Sequence, residues 1–195
     1  MYWKVNGRLH WGGLRMRIGL KHVAIQEQWP LEQGFRMIQR KILHRAYYTR
    51  TRLYKMGRAM DDRCLRGCGM QGSLRHTILD CPALGPFWKE VVELISEMVE
   101  MHLPWTPQLA LLGIWGEQVV PRDQLLFCNI ALIVAKRDII QLWGTVTIPR
   151  VADWCRNMDW CMRAEESVYK ARGCPRKFDK VWGPMERKGW AHVIN

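Results

Sequence analysis

Residues 64–81, from Cys64 to Cys81, read CLRGCGMQGSLRHTILDC and hold three cysteines and one histidine in the spacing C-x3-C-x7-H-x4-C. Zinc takes four nitrogen or sulfur ligands at tetrahedral corners, and a tight turn followed by a short helix can present them. Cys64 and Cys68 bracket Leu65-Arg66-Gly67. Gly67 and Gly69 supply the positive φ angles such a turn needs and residues with a Cβ resist. Ser73 reads as the N-cap of a helix over Leu74–Asp80, with His76 one turn inside it. Cys81 stands at the helix exit, and Pro82 blocks continuation. Four ligands close a metal site, so the expected cofactor is one structural zinc ion held by Cys64, Cys68, His76 and Cys81. The alternative is a set of reduced core cysteines beside a core histidine. A catalytic zinc would keep an open position, and the H-x-E pattern of zinc deaminases is absent.

Around this motif the composition is basic. The chain has 195 residues, with 30 Lys and Arg against 18 Asp and Glu, a formal net charge of +12. That length allows one domain, or two small ones, with a sizeable core. The charge points to an anionic partner, nucleic acid first and an anionic membrane surface second. No apolar run approaches the roughly 18 residues of a spanning helix; the longest, Ile130–Ala135, runs into Lys136 and Arg137. The opening MYWKVNGRLHWGG lacks the apolar heart of a signal peptide, so an intracellular location is expected. Seven cysteines in that setting read as thiols or metal ligands rather than a disulfide framework. Most of the eleven tryptophans read as core.

Helical periodicity dominates the rest, and the expected class is mainly α: an irregular helical domain carrying a small CCHC zinc knuckle, with few or no strands. Residues 1–30, broken by Gly7, Gly12, Gly13 and Gly19, read as an irregular segment, the remnant of a preceding domain. Residues 31–60 form a basic helical arm. Its helix begins at Pro30 and buries Phe35, Ile38, Ile42 and Ala46; Thr49 caps a second helix through Lys55, which Gly57 ends. Between Glu32 and Asp61 stand eight cations and no acid: Arg36, Arg40, Lys41, Arg45, Arg50, Arg52, Lys55 and Arg58. Tyr47, Tyr48 and Tyr54 are interleaved with them. Cations contact phosphates and aromatic rings stack on bases, so this run, with Arg66 and Arg75 of the knuckle, is the candidate nucleic-acid surface. The plain alternative is a solvated basic face.

The knuckle occupies residues 61–85, and a helical core follows over 86–172. A helix from Pro86 to Met101 buries Phe87, Val91, Leu94, Ile95 and Met98 and keeps Glu90, Glu93, Glu97 and Glu100 largely off that stripe. Pro104 and Pro107 frame a loop before a short apolar piece, Leu109–Trp115. The helix from Pro121 to Trp143 is apolar on more than one face, which puts it at the centre of the core, Cys128 included. Pro149–Arg172 is a further helix with Val151, Trp154, Met158, Cys161, Met162 and Val168 on one broad face. Its Cys155 and Cys161, six apart, point to different sides, so no second metal site is expected there. Gly173 and Pro175 stop it, and the tail 173–195, with Phe178, Trp182 and Trp190 among Lys and Arg, reads as short turns over the core.

Several stretches together resemble the C-terminal region of LINE-type (non-LTR) retrotransposon reverse transcriptases: QRKILHRAYYTRTRLYKMG, the C-x3-C-x7-H-x4-C knuckle, DCPALGPFWKEV, LALLGI and IALIVAKRDIIQLW. The resemblance covers roughly residues 30–185 and is most specific at the knuckle and the Cys-Pro…Phe-Trp that follows. It implies a CCHC knuckle involved in binding RNA, mapping onto Cys64, Cys68, His76 and Cys81. It does not imply a polymerase: that activity needs paired aspartates after an aromatic residue to hold two metals, and here Ala59-Met60 precede Asp61-Asp62 with no further carboxylate motif upstream. The family's endonuclease is missing as well. The expected function is a non-enzymatic, zinc-stabilised module binding RNA or another single-stranded nucleic acid, with no small-molecule substrate and no membrane partner. The competing reading is a structural or protein-interaction remnant with no nucleic-acid role.

Overall fold

The computed structural model describes residues 8–11, 14–17, 33–115 and 121–187. It is mainly helical. Two strands, β1 (Arg8–Trp11) and β2 (Leu14–Arg17), pair antiparallel with Trp11 opposite Leu14. This departs from the expectation of irregular structure at residues 8–11 and 14–17; the rest of residues 1–30 lies outside the described residues. The helices that follow are α1 (Gln33–Leu43), α2 (Arg50–Lys55), α3 (Gly85–Val99), α4 (Pro107–Leu112), α5 (Arg122–Gln141), α6 (Val151–Ala171) and α7 (Pro175–Arg187). A π-helical turn (His76–Asp80) and a 3₁₀ turn (Pro82–Leu84) lie between α2 and α3.

Helix α5 is the centre, as its all-round apolarity predicts. Every residue from Phe127 to Lys136 is buried, and α1, α3, α6 and α7 pack around it. Trp154 of α6 is fully buried and donates its indole N–H to the Ala131 carbonyl of α5 at 3.1 Å. Among the described residues no helix is long and apolar enough to cross a membrane.

Two further elements differ from the sequence reading. Ala46 is exposed and outside α1, because the chain turns away after Leu43 with Arg45 at φ 51° and the Ala46 N–H on the Lys41 carbonyl. Gln39 takes the buried place instead, donating to the Leu111 carbonyl at 2.8 Å and accepting from Lys136 Nζ at 2.7 Å. The tail forms helix α7 rather than turns. Phe178, Val181, Trp182 and Met185 recur at helical spacing and are all buried, and this stripe outweighs the Gly183-Pro184 pair within it. Trp190 lies outside the described residues.

Burial also places ionisable groups where charge is costly. The Lys136 ammonium sits between two neutral acceptors, Gln39 and the Leu111 carbonyl, and burial lowers its pKa to about 7. Glu165 of α6 accepts the Trp182 indole N–H at 2.8 Å, and burial pushes its carboxyl up to about 7. A carboxyl whose folded pKa exceeds its unfolded one favours the folded state when protonated. Stability is therefore lost as pH rises from about 4.5 to about 7. Glu165→Gln keeps an acceptor for Trp182 and removes the titration. It is expected to flatten the fall in unfolding free energy across that window by on the order of 3 kcal/mol, read from urea unfolding at a series of pH values.

Candidate metal centre and nucleic-acid interface

The four candidate metal-ligating residues come together as the spacing predicts, on a scaffold of local hydrogen bonds. The Cys64 N–H donates to the Met70 carbonyl at 2.8 Å and the Gly67 N–H to the Cys64 carbonyl at 3.2 Å, closing the turn. Gly67 and Gly69 take φ of 75° and 76° there. Arg63 and Gln71 bridge across the base of the loop. Ser73 then caps: its hydroxyl accepts from the His76 N–H at 3.2 Å, and its carbonyl accepts from the Thr77 N–H at 2.9 Å.

The helix that follows covers the expected residues, but from His76 onward it widens to a π turn in which the Cys81 N–H donates to the His76 carbonyl at 3.0 Å. In an α-helix, residues five apart are about 140° apart around the axis. Closing the backbone ring over five residues brings Cys81 back beneath His76. The ligand atoms of Cys64, Cys68, His76 and Cys81 all lie within 4.8 Å of one another. Cys64 Sγ and Cys81 Sγ are 3.8 Å apart, Cys68 Sγ and Cys81 Sγ 4.0 Å, and Cys68 Sγ and His76 Nε2 3.2 Å. The sulfurs are too far apart for a disulfide, which needs about 2.05 Å. The group can hold one metal ion, and among the described residues it is the one cluster of this kind.

The local electrostatics suit that role. Burial lowers the His76 pKa, against the pull of Asp80, so its imidazole is neutral and able to ligate near pH 7. Burial pushes the Cys64 thiol up to about 11, helped by the neighbouring thiols. At Cys68 burial also raises the pKa, but hydrogen bonds from the Met70 N–H and from Cys64 and Cys81 outweigh it and hold the thiol below its usual value. Metal binding requires thiolates, so the burial that raises the Cys64 thiol is a cost that a bound ion's charge would offset. Around the ligands, Arg66 donates to the Thr77 carbonyl at 2.8 Å and Arg75 pairs with Asp80 at 2.7 Å.

The turn is joined to the core and to the basic arm. Ile78 and Cys81 are buried in the same apolar cluster as α3 and α5, and Trp88 of α3 donates its indole N–H to the Ile78 carbonyl at 2.8 Å. On the other side, the Thr51 N–H of α2 reaches the Gly72 carbonyl at 3.3 Å. Only glycine fits at 72: a Cβ there would meet Arg50 Cβ at 2.9 Å. Asp61 accepts from Arg50 at 3.0 Å and from the Arg63 N–H, and these bonds hold its carboxyl below the usual range. Asp62 accepts from Gln71 at 2.7 Å. Both aspartates brace the loop.

The cationic residues fall into three groups. Arg45, Tyr47, Arg52, Lys55 and Arg75 line one cleft with Thr49, Thr51, Ser73 and Leu74. No carboxylate lines it. Tyr48, Arg50 and Arg66 line a second recess on the metal turn, together with Trp143 and Thr145. Arg36, Arg40, Lys41 and Arg58 are exposed and border neither. Thr49 caps α2 through the Arg52 N–H at 3.1 Å, which fixes the lip of the cleft. Sequence reasoning missed Trp143 and Thr145, since nothing local ties residue 143 to residue 48. It also missed the cleft hydroxyls, whose signal was their role as caps.

No protein-family model matches the chain.

Elemental analysis of the purified protein is expected to give one thiophilic metal ion per chain. Cys64→Ala and His76→Ala should each lose most of it. Backbone amides of residues 61–81 should then exchange faster while those of α5 remain protected, as measured by hydrogen exchange.

Proposed function

We propose that the chain is a zinc-stabilised module that binds RNA or another single-stranded nucleic acid and has no catalytic role. The carrying observation is the cleft beside the Cys/His turn, lined by Arg45, Arg52, Lys55 and the Asp80-paired Arg75 together with Thr49, Thr51 and Ser73, and by no carboxylate. Guanidinium groups, ammonium groups and hydroxyls are donors to phosphate oxygens. Tyr47 in the cleft wall and the exposed Tyr48 beside it offer rings to unstacked bases, which a single strand presents and a duplex does not.

Zinc is the metal best suited to the ligand set. Zn–S bonds of about 2.3 Å and Zn–N bonds of about 2.0–2.1 Å at tetrahedral angles give sulfur–sulfur edges of about 3.8 Å and sulfur–nitrogen edges of about 3.5 Å. Three of the six spacings, 3.8 and 4.0 Å between sulfurs and 3.2 Å from sulfur to nitrogen, lie close to those edges, and the others are within 4.8 Å. A Cys₃His set leaves no open position for substrate, so the ion would hold the turn against α2 and set one wall of the cleft. An origin in the C-terminal region of a non-LTR retrotransposon reverse transcriptase is part of the same proposal and is supported by the sequence motifs alone.

The test is a salt series on a labelled single-stranded RNA. Affinity is expected to fall with a log–log slope of about −0.7 per phosphate contacted. Arg52→Gln and Arg75→Gln should each weaken binding and shallow that slope by roughly one contact. A flat salt series would refute the proposal.

A further inference from the structure

The second recess has a chemistry distinct from that of the cleft at Arg52 and Arg75. Its walls are the rings of Tyr48 and Trp143, with Leu53, Leu65 and the guanidinium-bearing Arg50 and Arg66. Trp143 is held in place: its indole N–H donates to the Tyr48 carbonyl at 3.0 Å, and its ring packs against Tyr47 at 5.1 Å between centroids. Tyr48 is 56% exposed, with the Arg52 guanidinium 4.9 Å from its ring centre. An anchored indole and an exposed phenol ring beside apolar side chains offer surfaces on which a flat ring can stack.

Two features narrow the occupant. The recess has a volume of about 90 Å³ and opens at its mouth. A closed apolar cavity of about 150 Å³ takes benzene. This smaller, open recess therefore admits one six-membered ring with an edge left outside, and a two-ring purine exceeds it. The second feature is polar. Arg50 and Arg66 each keep a buried Nε with no hydrogen-bond partner, although their other nitrogens engage Asp61 and the Thr77 carbonyl. These are donors that call for acceptors. Every pyrimidine offers two such acceptors, O2 and O4 in uracil and thymine, O2 and N3 in cytosine.

We propose that this recess takes a single unpaired pyrimidine base of the bound strand. The inference rests on the nucleic-acid reading above and gives it a base preference: the cleft at Arg52 and Arg75 would hold the backbone, and the recess would hold one flipped-out base.

The experiment uses the full metal-loaded chain and three RNA dodecamers compared by fluorescence anisotropy. One is all adenosine, the second carries one central uridine, and the third carries an abasic site at that position. The uridine oligomer is expected to bind roughly tenfold more tightly than the other two, the scale of one base stacking on an aromatic side chain. Within Tyr48→Ala, which removes a wall, and within Leu65→Trp, which fills the recess, the ratio between the three should fall to about one. Metal content measured on each variant confirms that the turn is intact. Equal binding of all three by the native protein, or an unchanged ratio in Tyr48→Ala, overturns the base pocket and leaves the nucleic-acid reading standing. Absence of salt-dependent binding to any of them overturns both.

Discussion

A single backbone hydrogen bond, from the Cys81 N–H to the His76 carbonyl, sets the geometry on which the site depends. It replaces the usual four-residue step with one of five, and so turns two ligands of one short helix toward the same point. The other two come from a glycine turn that is closed by its own backbone. None of the four ligand positions requires a distant element to define it. What the core adds is a seat. The Trp88 indole fixes the Ile78 carbonyl, and Ile78 and Cys81 share the apolar cluster with α3 and α5. Local bonds thus shape the turn, and long-range packing orients it.

The arm that carries eight cations and no acid between Glu32 and Asp61 is held by several contacts. Gly72 lets α2 lie against the loop, Asp61 holds Arg50, and Trp143 anchors the Tyr48 carbonyl from the end of α5. Farther back, Gln39 and Lys136 tie α1 to α4 and α5 inside the core. Each contact uses a polar group with a defined partner, which is what keeps a run of like charges from splaying apart. The cleft at Arg52 and Arg75 and the recess at Tyr48 both draw side chains from this short arm.

How much of this was legible follows from how far apart the cooperating residues are. The four ligands, both Gly67 and Gly69, and the Ser73 and Thr49 caps act within a few residues of one another, and sequence reading placed each of them. The centrality of α5 was legible because its apolarity goes all the way round. The π turn was not, since the residues of an α turn and a π turn are the same and only the ligand geometry separates them. Helix α7 was hidden because Pro175 and Gly183-Pro184 carry strong local signals, while its buried stripe is satisfied only once α5 and α6 are present. Ala46 was misplaced because a left-handed residue at Arg45 has no sequence signature comparable to glycine. The recess beside Tyr48 was beyond reach, since it joins residues 95 positions apart.

The indole of Trp88 has one more implication. The 18-residue motif is often pictured as a cassette that can be cut out and grafted elsewhere. Here the carbonyl of Ile78, in the middle of the ligand helix, is capped from outside by a side chain seven residues past the last cysteine. An excised peptide ending at Cys81 would leave that group to solvent and lose the floor on which Ile78 rests. The unit of portability is therefore longer than the motif: it runs at least from Arg50, whose partner is Asp61, to Trp88.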